Sequence, residues 1–220
     1  MWVAFVADAD ALGGFLIFAF GFTWRCMPIK KYSLFLMASH TSAINDHLAL
    51  EFQASHTYLA MSIWLRERDL IGFSSYMLNK STEERGHASR FISYLVDSES
   101  EVQLPTIESP QREWQSVKSL FDKVYDMEKT VTKSISNIYT LCEEVNDRAA
   151  TAMLDWFVGE QLQEEAEARF VLKRLRLADS SASALIILDQ QFLDGTLLAN
   201  VKAGGAFDIA GAGGGGGAAA

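Results

Sequence analysis

The chain has only three prolines, Pro28, Pro105 and Pro110, so two stretches, from about 42 to 97 and from about 111 to 175, contain none. A proline inside a helix removes a hydrogen bond and clashes with the preceding turn, at a cost of about 3 kcal/mol. Long uninterrupted helices are therefore open to these two stretches, and their periodicity predicts them. Val117, Phe121, Val124, Glu128, Val131, Ile135, Ile138 and Cys142 recur at alternating steps of four and three, which is one face of a helix with 3.6 residues per turn. The stepping repeats at Leu154, Phe157, Gln161, Glu164, Ala168 and Val171, and at Met77, Lys80, Glu84, His87, Phe91 and Tyr94. Leu48, Glu51, Ser55, Tyr58, Ser62 and Leu65 supply a fourth stripe. Each stripe is apolar at its ends and polar near its middle.

Breaks fall at Glu67 to Gly72, Asp97 to Gln111 and Glu144 to Arg148. The first and third are short, and short links join antiparallel helices. The second, about 15 residues long, spans about 50 Å when extended, more than the ~38 Å of a 25-residue helix. It is long enough to join two parallel helices. The expected fold class is all-α, a four-helix bundle with one long crossover, and Ser183 to Phe192 reads as a short fifth helix after a break at Ala178 to Ala182.

The remainder of the 220 residues divides into two ends. Ala11 to Trp24 carries no charge but is shorter than the roughly 20 residues that span a bilayer as a helix. Asp8 and Asp10 precede it where a secretory leader carries Lys or Arg. Residues 1–41 are read as a hydrophobic extension outside the fold, whether a targeting leader, a tether or an upstream artefact with Met27 or Met37 as the start. Residues 42–193 form the bundle and fifth helix. Residues 194–220 form a flexible Gly/Ala-rich tail, with eight of the 15 glycines after Ala203. A membrane partner is not expected for the folded domain, and the compartment expected is the cytoplasm or a plastid. The net charge of -9 repels nucleic acid and favours cations. Cys26 and Cys142 have no CxxC spacing, which leaves neither a disulfide framework nor a zinc finger.

A carboxylate on a buried stripe must be hydrogen-bonded, paired or bound to a cation, since burying it alone costs several kcal/mol. The stripes carry Glu51, Glu84, Glu128 and Glu164, with His87 one turn after Glu84 and Lys80 as the one facing base. Counted from the nearest turns, Glu51, Glu84, Glu128 and Gln161 stand at similar heights, so they are expected to meet in one layer. Carboxylates with a single imidazole suit iron better than zinc or calcium. Of the four histidines, only His87 is given a role.

Glu51 with Tyr58, the run Glu83-Glu84-Arg85-Gly86-His87, the run Met127-Glu128-Lys129, Trp114 fourteen residues before Glu128, and Glu160-Gln161 together resemble the ferritin family, over residues from about 42 to 193. The pattern is more similar to prokaryotic and algal ferritins than to animal ones, because Glu164 stands where animal heavy chains carry a small residue. The resemblance implies a ferritin-like bundle, Fe(II)/Fe(III) at a di-iron ferroxidase centre, dioxygen as oxidant and no haem. It also implies a homo-oligomeric cage of 24 subunits that stores iron as mineral. It implies that Glu51 and His87 hold the first iron, that Glu84 bridges and that Glu128 holds the second. Glu83, Glu160 and Glu164 are implied as an accessory or transit site. Tyr58 is implied as hydrogen-bond donor or one-electron source, and Gln161 as the group ordering a water or dioxygen.

A resident di-iron cofactor is held by two Glu-x-x-His pairs, one from each half of a bundle. This chain has one such pair, and helix four offers Gln161-x-x-Glu164 in place of the other. One iron is then held less firmly, which favours storage over the alternative, a di-iron oxidase of the rubrerythrin type. Two departures from the family stand out. Thr151 and Leu154 occupy positions where ferritins line a threefold channel with acids, leaving Asp155 nearby. Gly86 replaces a third acid of the inner face.

Overall fold

The computed structural model describes residues 4–5, 15–20, 23–179 and 181–199, with side chains from residue 40 onward. Four long helices and a short one follow the predicted order: α1 (Ile29–Arg66), α2 (Ile71–Asp97), α3 (Val117–Glu144), α4 (Arg148–Ala178) and α5 (Ala182–Leu193). The breaks lie where the periodic stripes end. No helix among the described residues is long and apolar enough to cross a membrane.

The extension supplies the start of α1 and a small sheet. Helix α1 begins at Ile29, directly after Pro28, and not near residue 42. Proline bars the residue before it from helical geometry and is well tolerated at helix starts, so Pro28 is the natural boundary. The described residues of the apolar run ahead of it are extended. Strands β1 (Ala4–Phe5), β2 (Phe15–Phe20) and β3 (Thr23–Pro28) form an antiparallel meander with Phe15 opposite Pro28 and Phe20 opposite Thr23. Short aromatic-rich apolar runs suit a strand as well as a helix, and periodicity alone does not separate the two. The Gly/Ala-rich tail beyond Ala199 lies outside the described residues.

The chain forms two compact units. The first comprises Met1–Gln53, Glu84–Glu108 and Thr130–Val158; the second comprises Ala54–Glu83, Ser109–Lys129 and Gly159–Ala220. In the first, Ile44 and Leu48 of α1, Phe91 and Leu95 of α2, Ile135 and Cys142 of α3, and Leu154 and Phe157 of α4 pack as one core. Phe91 stacks on Phe157 at 4.4 Å. Burial lifts the Cys142 thiol to about 12, with Asp147 adding to the effect, so it behaves as a small apolar residue. In the second unit, Tyr58, Met61, Phe73, Met77, Leu120, Phe121 and Val171 are core residues. Here α5 adds Leu188, with Leu185 and Phe192 packed beside it, while Ile186, Ile187 and Leu193 stay exposed.

Helix ends are closed by one repeated device. After α1, α2 and α3 the residues Asp69, Glu99 and Asn146 take a left-handed φ of 56°. The next N–H reaches back five residues in each case: Leu70 to Leu65, Ser100 to Leu95, Asp147 to Cys142. This is the Schellman closure, which usually carries glycine at the left-handed position. Asp147 then starts α4 by accepting from the N–H of Ala150 at 2.9 Å.

The long link from 98 to 116 is non-helical, as expected, and side chains of α1 act as its backbone partners. In the first unit Asn45 donates to the Glu101 carbonyl and accepts from the Gln103 N–H, and Gln53 pairs with both backbone groups of Glu108 at 2.9 and 3.0 Å. In the second, the Trp64 indole donates to Glu113 at 3.1 Å. Partners that advance together along both segments show the link running in the same direction as α1, as a crossover requires.

Candidate metal centre

The first unit buries two carboxylates against two imidazoles. Helical spacing of four puts His47 and Glu51 on one face of α1, and spacing of three does the same for Glu84 and His87 on α2. Glu51 is fully buried. Its Oε1 accepts from His47 Nε2 at 2.7 Å, and Ser134 hydrogen-bonds the other ring nitrogen at 2.9 Å. Its Oε2 is buried without a hydrogen-bond partner, with His87 Nδ1 3.8 Å away. His87 Nδ1 donates to Glu84 Oε2 at 3.0 Å. One ligand atom from each of Glu51, Glu84 and His87 lies within 4.8 Å of the others. The edges of Trp156 and Phe157 close around the His87 ring at 5.6 and 5.7 Å.

Charge in this pocket is set by its own members. Burial works to raise the Glu51 carboxyl, but hydrogen bonding to His47 and the nearness of His87 outweigh it and hold the pKa at about 2. For His87, burial opposes the charged form, and Glu51 with Glu84 overcomes it, lifting the imidazole to about 10. Two carboxylates thus compete for one proton-bearing ring. A divalent cation satisfies them in the same place by displacing that proton. The orphaned Oε2 of Glu51, beside a second carboxylate and an imidazole, matches the donor set iron takes.

In the second unit Glu128 is held by neutral donors. The Tyr58 hydroxyl donates to Oε1, and Gln161 Nε2 donates to Oε2 at 3.2 Å and to the Glu128 carbonyl at 3.3 Å. All three residues are buried. Of the residues implied as accessory ligands, Glu164 is buried while Glu83 and Glu160 are half-buried. The Lys80 ammonium contacts Glu164, stands 2.9 Å from Glu83 and 3.8 Å from Glu167. Burial raises the Glu164 carboxyl to about 7, with Glu128 and Glu83 adding and Lys80 opposing. Asp155, the lone acid near the expected channel position, accepts from the Tyr139 hydroxyl at 2.8 Å in the first unit.

Sequence reasoning passed over His47, Ser134 and Glu167. His47 was legible in principle, because His-x-x-x-Glu places a ring nitrogen over a carboxylate on the same helix face. Ser134 was not, since its pairing joins residues 87 apart in the chain.

The Ferritin-like domain family matches residues 41–178 of this chain. The bacterial non-heme ferritin of Campylobacter jejuni is 31% identical over 147 residues, covering 67% of this chain and 88% of its own. That of Escherichia coli is 28% identical over 148 residues, covering 67% and 90%. Among solved structures, the open pore ferritin of Archaeoglobus fulgidus superposes with a TM-score of 0.68 at 31% identity, over 70% of this chain and 94% of its own. The match takes in α1 from residue 41 and the whole of α2, α3 and α4, with Glu51, Glu84, His87, Glu128 and Gln161, and the chain belongs to the ferritin family.

Proposed function

We propose that this chain is a ferroxidase-active ferritin subunit, which takes Fe(II) as substrate, oxidises it with dioxygen and passes Fe(III) to a mineral stored inside a cage. The observation that carries the reading is the buried cluster of Glu51, Glu84 and His87, with a carboxylate oxygen that no hydrogen bond satisfies. Glu51 and His87 hold the first ion, Glu84 bridges, and Glu128 holds the second. The helical register of the four stripes supports bringing these residues to one level. Each Fe(II) gives one electron to a single dioxygen, which takes two protons and leaves as hydrogen peroxide. Tyr58 steadies Glu128 through its hydroxyl and is placed to lend an electron. Gln161 orders a water or the dioxygen.

The second ion sits opposite Gln161 and Glu164 rather than a second Glu-x-x-His pair, so it is bound less firmly. That asymmetry suits an ion in transit. For the cage, the exposed apolar residues of α5, Ile186 and Ile187, supply a surface for symmetry mates, and the family implies 24 subunits. Residues 42–193 carry these functions, and the two ends take no part in the chemistry.

The test is repeated loading of the iron-free protein with a few Fe(II) per subunit in air, followed by near-ultraviolet stopped flow. A fast burst for about two Fe(II) per subunit is expected, and the burst should recover on waiting as iron moves to the core. A rate equal to that of free Fe(II) in the same buffer overturns the ferroxidase reading. A single unrecovered burst, with the iron retained through gel filtration, points instead to a di-iron oxidase.

A further inference from the structure

Lys80 is the most unusual residue of the second unit. It projects from α2 into the interior with 4% of its surface exposed, where lysine is rarely found without partners. Its ammonium contacts Glu164, pairs with Glu83 at 2.9 Å and faces Glu167 at 3.8 Å. The Tyr76 hydroxyl donates to Glu167 at 3.3 Å, and the Tyr76 ring lies 5.9 Å from the ammonium. An ammonium has three donors and no lone pair. Held charged, it is a ligand for carboxylates and never for a metal.

We propose that Lys80 is a built-in cation at the carboxylate cluster of Glu83, Glu164 and Glu167, taking the position a third metal ion would need, so that each subunit binds two metals at its buried carboxylates and not three. The proposal rests on the ferroxidase reading in one respect, that the pair of sites at Glu51, Glu84, His87 and Glu128 is the one metals do fill.

Physical chemistry makes the substitution effective. Three carboxylates brought together repel one another unless a cation sits among them. A metal supplied from solution pays for dehydration and competes at its free concentration. An ammonium on the same helix as Glu83 is always present, at an effective concentration that no cytosolic metal approaches. Its burial is costly only when unpaired, and the acids around it remove that cost. For a metal to bind, Lys80 would have to swing into solvent and leave its carboxylates, and the buried stem leaves little room for that. The cluster therefore contributes order and charge balance to the second unit, while the neutral contacts of Tyr58 and Gln161 leave Glu128 available to iron.

Lys80→Met keeps a stem of similar length without the charge. Zn(II) titration by calorimetry on the assembled, iron-free protein is expected to give two buried sites per subunit in the parent and three in Lys80→Met. The added site should disappear in the double variant Lys80→Met with Glu167→Gln. Tb(III) luminescence sensitised through Tyr76 should report the same gain. If Lys80→Met does not fold, Glu167→Gln in the parent background decides the matter: the Zn(II) count stays at two if Lys80 is the resident cation. Loss of a Zn(II) ion on Glu167→Gln, or no gain in a folded Lys80→Met protein, overturns the proposal. Failure of the ferroxidase reading has a different mark, since Glu84→Ala would then leave the parent count unchanged whatever Lys80→Met does.

Discussion

Both units bury carboxylates, yet they answer them with different bases. In the first, Glu51 and Glu84 face His47 and His87; in the second, Glu164 and Glu83 face Lys80. A metal can displace the proton of an imidazole, which gives it up and offers a lone pair as ligand in its place. An ammonium does neither. The same electrostatic problem is solved once in an exchangeable way and once in a permanent way. The choice of base, rather than the number of acids, marks where metal chemistry is to be sought.

The largest effect that would break this contrast is expected from Glu84→Ala. It removes the carboxylate that pairs with His87, and the fast phase of Fe(II) oxidation should fall by roughly a hundredfold or more, since even outer partners of ligands are worth 10–100-fold. Stopped flow reads it; an unchanged burst would move the site elsewhere. His47→Ala comes next. It takes away the hydrogen bond that orients Glu51, and metal affinity measured by calorimetry should drop by about tenfold or more with the helix content intact. Tyr58→Phe strips a hydroxyl donor from Glu128, and thermal unfolding of the iron-free protein should show a loss of about 1.5–3 kcal/mol, the range for hydrogen bonds to charged groups. No loss would mean that the hydroxyl is not a partner of Glu128.

The smallest effect sharpens the contrast through pH. The folded Glu51 carboxyl, at about 2 against an ordinary 4.5, contributes stability that is present above 4.5 and is lost as pH falls towards 2. Glu164 at about 7 has the opposite sign: folding favours its protonated form, so stability rises as pH falls from above 7 towards 4.5. Melting curves of iron-free protein between pH 8 and 5 should therefore flatten in Glu164→Gln, while Glu51→Gln should change the profile only below about 4.5. Identical profiles for parent and Glu164→Gln would show that Lys80 holds this carboxylate ionised throughout.

Much of this was legible in the sequence because it depends on local spacing. The four stripes, the three breaks and the crossover follow from periods of three and four and from Pro105 and Pro110. The Glu-x-x-His pair needed only its own helix. What escaped depends on partners distant in the chain or on residues without a signature. The helix ends are closed by Asp69, Glu99 and Asn146 rather than by glycine, so the breaks could be placed only broadly. The start of α1 was set too late because residues 29–41 carry no amphipathic stripe to extend the pattern back to Pro28. Lys80 was recognised as the one base facing the acids, but not that it claims three of them.

Helix α5 docks through a contact that ties it to the start of α2. The Phe73 N–H donates to the Asp189 side chain at 2.9 Å, across 116 residues of chain. Gly72 allows it, since a Cβ there would lie 1.8 Å from the Asp189 carbonyl oxygen. The first turn of α2 is thus completed by a helix that is synthesised more than a hundred residues later. Until α5 arrives, the Phe73 N–H at that turn lacks this partner, and closing so long a loop is slow. A nascent chain halted before residue 182 would hold all the proposed iron ligands and still lack the cap on α2. Only a chain that includes α5 therefore completes the first turn of α2.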